Sequence, residues 1–191
     1  IPDFPKSKNT DYYIYTQHAL MSTHYAYKKN AFNHYDIIFC CGNYMINEIR
    51  KTESIYKLMS KILVKHGYSR LDYLINQNKK YKYIKKENTI LFAPGWGGSH
   101  SLIENGDASK YIDSALSQNY KVILRPHPES FKRSVDIIKT IDEKYSNNSN
   151  FEIQNDVSDF EILSQSSILI TDWSGIAFEY VFTTGNIVLF I

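Results

Sequence analysis

Short apolar runs rich in β-branched residues alternate along this chain with longer stretches of helical period, and this alternation restricts the fold more than any other feature. A strand, a helix and a second strand in succession pack as a parallel sheet with helices laid on its faces. The pattern predicts strands at Tyr12–Thr16, Asp36–Cys41, Ile62–Lys65, Thr89–Ala93, Lys121–Arg125, Phe151–Gln154, Ser167–Thr171 and Asn186–Ile191. It predicts helices near Asn43–Met59, Ala108–Gln118, Ser130–Tyr145, Ser158–Ser164 and Gly175–Thr183. In the first helix Ile46, Ile49, Ile55, Leu58 and Met59 roughly follow one buried face. Asp156 or Ser158 is placed to cap the fourth helix, and Gly185 to stop the fifth.

The apolar pattern lapses between Asn76 and Asn88 into a basic, polar stretch. Residues 77–88 therefore read as a linker between a first α/β piece, 1–76, and a second, 89–191. The alternative is a basic-aromatic patch that touches anionic lipid or polymer. The first residue is not Met and the last strand has no helix after it, so both domains are expected to be incomplete.

A formal net charge of +2 argues against a nucleic-acid partner and suits a phosphorylated small molecule or polymer. Cys40 and Cys41 are adjacent in an apolar run, where strand neighbours point to opposite faces and do not bridge easily. They read as buried thiols in a reducing compartment. No run approaches the ~20 apolar residues of a membrane span, and the first residues do not look like a signal peptide, so the expected location is cytoplasmic.

The chemistry-bearing residues lie where predicted strands end. Asp172-Trp173-Ser174-Gly175 joins a strand to a helix, so backbone N–H groups and the helix dipole point at one spot that favours an anion. Ser174 and Gly175 are expected to meet phosphate, and Glu179, further into that helix, a ribose hydroxyl. For Ser174 a plain helix cap remains the competing reading. Asp172 either orients the loop by accepting N–H bonds or binds substrate. Arg125-Pro126-His127-Pro128 follows another strand, and its prolines restrict the backbone on both sides of His127. His127 is a candidate donor of a hydrogen bond or proton to a leaving phosphate, and Arg125 offers a planar fork for phosphate oxygens. Its simpler role would be to pin the loop.

The loop from Pro94 to Ser101 carries Gly95, Gly97 and Gly98 but has no Walker lysine and no G-x-G-x-x-G spacing. Ser99 or His100 could line a cleft there, or the loop could be a surface turn. His18, after the first strand, is a candidate general base. His24, His34 and His66 show no metal-ligand spacing, so no metal is expected. Arg70, in Gly67-Tyr68-Ser69-Arg70-Leu71-Asp72, could turn towards a cleft or pair with Asp72.

Read in order, these pieces resemble the bacterial CDP-glycerol glycerophosphotransferase family, of the teichoic-acid polymerase type with a GT-B fold. The resemblance rests on Gln17-His18, Tyr35 to Phe39, Gly67 to Asp72, Ile90 to Pro94, Arg125 to Pro128, and Thr171 to Gly175 with Glu179. It implies an α/β, GT-B-like chain of two Rossmann-like domains with parallel sheets, both incomplete here. Residues 1–76 would be the end of an acceptor-side domain and 89–191 a donor-binding domain. It further implies a CDP donor whose diphosphate meets Ser174, the Gly175 backbone and His127 and whose ribose meets Glu179, with His18 the general base and no cofactor; the residues themselves add Asp172 and Ser99 as donor-binding candidates and Arg125, beside His127, as a catalytic one. The acceptor would be a lipid-linked or polymeric hydroxyl, met at the inner face of the membrane by peripheral contact. Two alternatives remain: a UDP- or CMP-sugar glycosyltransferase of capsule or lipopolysaccharide synthesis, and a catalytically silent nucleotide-binding module.

Overall fold

The computed structural model describes residues 7–28, 30–81, 88–156 and 161–191. The chain divides into two compact units, Ile1–Arg70 and Leu71–Ile191.

In the first unit, β1 (Ile14–Thr16), β2 (Ile37–Cys40) and β3 (Ile62–Lys65) form a parallel three-stranded sheet in sequence order. The short helix α1 (Thr23–Ala26) follows β1, and α2 (Asn43–Tyr56) follows β2. A small core gathers Tyr15, Ile38, Cys40, Met45 and Ile49. The buried face of α2 runs through Met45, Ile49 and Glu53 rather than through Ile55 and Met59, both of which are exposed. Glu53 is tolerated inside because Arg50 donates to its Oε2 at 2.6 Å and the Lys61 N–H to its Oε1 at 2.8 Å. Both cysteines are free thiols, Cys40 buried and Cys41 half-buried.

Helix α3 (Ser69–Asn78) lies where the sequence pattern predicted no helix, and it crosses the division between the units. Its Leu74 is buried in the core of the second unit. That anchor puts the division after Arg70, earlier than the expected linker at 77–88, of which residues 82–87 lie outside the described part.

The second unit holds β4 (Thr89–Phe92), β5 (Lys121–Leu124), β6 (Phe151–Ile153), β7 (Ile168–Thr171) and β8 (Ile187–Phe190) in one parallel sheet ordered β6-β5-β4-β7-β8. Because successive side chains on a strand point to opposite faces, Ile90 and Phe92 pack on one side and Leu91 and Ala93 on the other. The first side is covered by α4 (Ala108–Ser117) and α6 (Val135–Tyr145), through Ile112, Ala115, Ile138 and Ile141. The second is covered by α7 (Glu161–Gln165) and α8 (Ile176–Thr184), through Ile162, Leu163, Ala177 and Tyr180. A sheet buried on both faces needs uninterrupted apolar strands, which is why Thr-Ile-Leu-Phe and Ile-Leu-Ile-Thr read so plainly.

The helix expected over Ser130–Tyr145 is broken into α5 (Ser130–Arg133) and α6 at Ser134, whose backbone leaves the helical region at φ −129° and ψ 33°. Gly185 ends α8 in the left-handed conformation, φ 70°, as its position suggested. Of the two residues proposed to cap the fourth helix, Ser158 lies outside the described residues, and α7 begins at Glu161.

Candidate functional site

The strand order of the second unit fixes where a ligand can sit. From β4 the chain moves outward to β5 and β6, then returns to the other side of β4 as β7 and β8. At such a reversal the loops leaving the two central strands diverge and open a crevice beyond their carboxyl ends. The loop after β4 begins with Pro94-Gly95-Trp96, the loop after β7 with Asp172-Trp173-Ser174, and β5, beside β4, ends in Arg125-Pro126-His127.

Asp172 ties two of these loops together. Its Oδ1 accepts the Gly95 N–H at 2.6 Å and its Oδ2 the Leu102 N–H at 3.1 Å. The carboxyl group is buried, and burial raises its pKa despite those backbone hydrogen bonds. Of the two readings of Asp172, the loop-orienting one describes these contacts. A Cβ placed on Gly95 would lie 2.9 Å from Asp172 Oδ1 and 3.8 Å from the Ser174 Cβ, so only glycine lets the two loops approach this closely. Below them, the Thr171 hydroxyl donates to the Ala93 carbonyl at 2.6 Å.

Ser174 and Gly175 are half-buried at the start of α8, where no side chain caps the first turn. The Ser174 hydroxyl is therefore not used as a cap, and this mouth can receive an anion. Glu179, in the first turn of the same helix, is buried at 6% exposure.

His127 is held through its own loop. The Glu129 N–H donates to Nδ1 at 3.1 Å, so the neutral ring carries its proton on Nε2. Burial pulls its pKa below the ordinary histidine value, although Glu129, Glu104 and Asp172 push the other way. At neutral pH the ring is an uncharged Nε2–H donor. The Trp96 ring stacks on it with centroids 5.8 Å apart, and the Arg133 guanidinium lies 5.3 Å from the Trp96 ring centre. Sequence reasoning gave neither Trp96 nor Arg133 a role, since nothing in a glycine loop announces what its aromatic will touch. Arg125 is only 5% exposed and engaged within the protein, so it underlies the loop rather than standing open at its surface. Ser99 is exposed on the single turn Gly98–His100.

In the first unit, His18 follows β1 and is fixed from two sides. The Tyr68 hydroxyl donates to its carbonyl at 2.9 Å, and the Tyr15 hydroxyl lies 3.1 Å from its Nδ1. Tyr15 also lies 2.9 Å from the Tyr27 hydroxyl. Burial, followed by the bond to Tyr27, drives the Tyr15 phenol far above its ordinary pKa, so it stays protonated. A relay from His18 Nδ1–H to Tyr15 and on to Tyr27 would leave the Nε2 lone pair available as a base. Beside it, the side-chain amide of Gln17 is buried with neither its oxygen nor its nitrogen hydrogen-bonded. Among the described residues no group of three or more His, Cys, Asp or Glu side chains is placed to hold a metal ion.

The family model for CDP-glycerol:poly(glycerophosphate) glycerophosphotransferases matches residues 3–190. No curated protein matches the chain. Among solved structures, the wall teichoic acid polymerase TagF superposes with a TM-score of 0.56 at 18% identity, over 96% of this chain and 50% of that one. A variant of the same polymerase soaked with CDPG gives a TM-score of 0.52 at 22% identity, over 85% of this chain and 39% of that one. The chain thus spans about half the length of the polymerase it resembles. At these identities the likeness shows the fold class, α/β of the GT-B kind with parallel sheets.

Proposed function

Because the chain belongs to the CDP-glycerol:poly(glycerophosphate) glycerophosphotransferase family, we propose that it is part of a transferase moving glycerol phosphate, or a similar polyol phosphate, from a CDP-linked donor to a hydroxyl of a cell-surface polymer precursor. The observation that carries this reading is the cluster of loops at the carboxyl ends of β4, β5 and β7. There an uncapped helix start with a free serine hydroxyl shares one loop cluster with a neutral, tautomer-fixed histidine. Helix N–H groups and a histidine Nε2–H suit the oxygens of a diphosphate, whose negative charge grows on the leaving group as transfer proceeds.

In this mechanism the acceptor hydroxyl attacks the phosphorus that bears the glycerol. The bond from that phosphorus to the bridging oxygen breaks, CMP departs, and the hydroxyl proton passes to a general base, for which His18 is the candidate. Ser174, the N–H groups at Gly175 and the His127 Nε2–H hold the departing phosphate, and Asp172 keeps the loop in place. Glu179 is assigned to the ribose, Arg125 to supporting charge from beneath the loop, and Ser99 to the outer lip. No cofactor enters this scheme. Among the described residues no helix is long and apolar enough to cross a membrane. Access to a lipid-linked acceptor is assigned to peripheral contact at the inner face.

The test is His127→Ala in the full-length protein. Transfer from CDP-glycerol should fall by about two to three orders of magnitude, with the circular dichroism spectrum unchanged. Undiminished transfer would sink the assignment.

A further inference from the structure

Glu104 lies in the loop before α4 and belongs to none of the motifs that suggested the function. Its carboxylate is shared between two segments. Oε2 accepts the Gly97 N–H at 3.2 Å, while Oε1 accepts the Ser130 hydroxyl at 3.2 Å and the Ser134 hydroxyl at 2.9 Å. Gly97 is the residue after Trp96. Ser130 donates its backbone N–H to the His127 carbonyl at 2.8 Å. The one carboxylate thus grips the residues adjoining both members of the Trp96–His127 stack.

The local backbone yields to this contact. Ser134 stands at the N-cap of α6, where a serine hydroxyl ordinarily accepts an N–H of the first turn. Here it makes no cap bond and points instead at Glu104, and the backbone breaks at that residue into α5 and α6. Gly97 meets Glu104 with φ 93°, in the region that favours glycine. A helix break, a forgone cap and a left-handed glycine converge on one acidic side chain.

We propose that Glu104 is a positioning residue for the donor site, a cross-brace that holds Trp96 against His127 and so sets where the His127 Nε2–H stands. This deepens the functional reading and rests on it, since it takes His127 to be a donor contact. Glu104 is suited to the work because it remains a carboxylate. Burial alone would raise its pKa, but hydrogen bonds from Ser101, Ser134, Gly97 and Ser130 more than offset this and hold it low. The charged groups acting on His127 are Glu129, Glu104, Asp172 and Lys132, with Arg133 beyond the Trp96 ring.

The experiment compares Glu104→Gln and the double variant Ser130→Ala/Ser134→Ala with the parent full-length protein, using CDP as the probe. For Glu104→Gln, CDP should bind about tenfold more weakly. The His127 ring should titrate at lower pH, because a nearby negative charge is gone, and cross-relaxation between the Trp96 and His127 rings should weaken. The double serine variant keeps the charge and removes two of the brace's donors. It should weaken CDP binding and the ring contact without lowering the His127 titration point. It also decides the matter if Glu104→Gln does not fold. Unchanged CDP affinity and ring contact in a folded variant would overturn the proposal. So would a loss of binding that only tracks the unfolded fraction. If the parent binds no CDP the functional reading falls, and the ring contact and His127 titration still decide the role of Glu104.

Discussion

The two units hold their candidate residues in different ways. In the second, the candidate residues sit at the ends of three adjacent strands whose sheet is covered on both faces, and its loops are bonded to one another through Asp172 and Glu104. In the first, His18 is an exposed residue after a short strand, held by two tyrosine hydroxyls over a small core. Among the described residues, β3 leaves Ile62 and Val64 exposed, whereas β4 is buried throughout. A site braced loop to loop can fix a phosphate to within fractions of an ångström, which transition-state stabilisation requires.

The largest expected difference is in packing. Leu91→Ala, at a fully buried position, should cost about 3 kcal/mol in urea denaturation. Val64→Ala, at 38% exposure, should cost less than about 1 kcal/mol. Equal costs would break the comparison. Next comes the loop brace: Gly95→Ala pushes a Cβ to 2.9 Å from Asp172 Oδ1. Losing the half-buried Gly95–Asp172 hydrogen bond should destabilise by about 2 kcal/mol and weaken CDP binding, both measurable by calorimetry. A variant with parental affinity would show that the close approach of these loops is incidental.

The pH dependence of His127 gives a smaller effect. Its folded pKa lies below the ordinary value, so in the interval between the two the unfolded chain holds a proton that the folded chain does not. Stability from this group is therefore present above the ordinary value of about 6.5 and is lost as the pH falls through the folded pKa. An NMR titration of the ring should show a depressed midpoint with the neutral proton on Nε2, and a midpoint above the ordinary value would contradict the buried site. The smallest effect is expected in the first unit. Tyr15→Phe removes one hydroxyl contact to His18, and should cost about 1 kcal/mol while lowering kcat several-fold with little change in KM for the donor. A rise in donor KM instead would tie Tyr15 to donor binding.

Much of the fold was legible because a parallel sheet covered on both faces demands continuous apolar strands, and each expected strand is present to within two residues at either end. What escaped was decided by distant partners. Residues 69–78 carry a weak apolar period, and they are helical with Leu74 as the anchor in the second core. On α2, Ile46 and Ile49 pack on the core as expected, but beyond them the buried face runs to Glu53 rather than to Ile55 and Met59, because Arg50 and the Lys61 N–H meet its charge. The motif residues Ser174, Gly175, His127 and Asp172 were legible as site candidates, since prolines, glycine and a strand-to-helix junction are local signals. Trp96, Arg133 and Glu104 were not, because stacking and bracing join positions about thirty residues apart along the chain.

The sequence by itself determined the order of strands and helices, the parallel architecture and the motifs at the strand ends, all of which follow from short-range periodicity and backbone restriction. Only the tertiary structure decided the strand order that sets β7 beside β4, the division after Arg70, and the break at Ser134. Those depend on which buried groups find partners across the fold, and hydrogen-bond satisfaction in a packed interior is set by the whole chain rather than by any window of it.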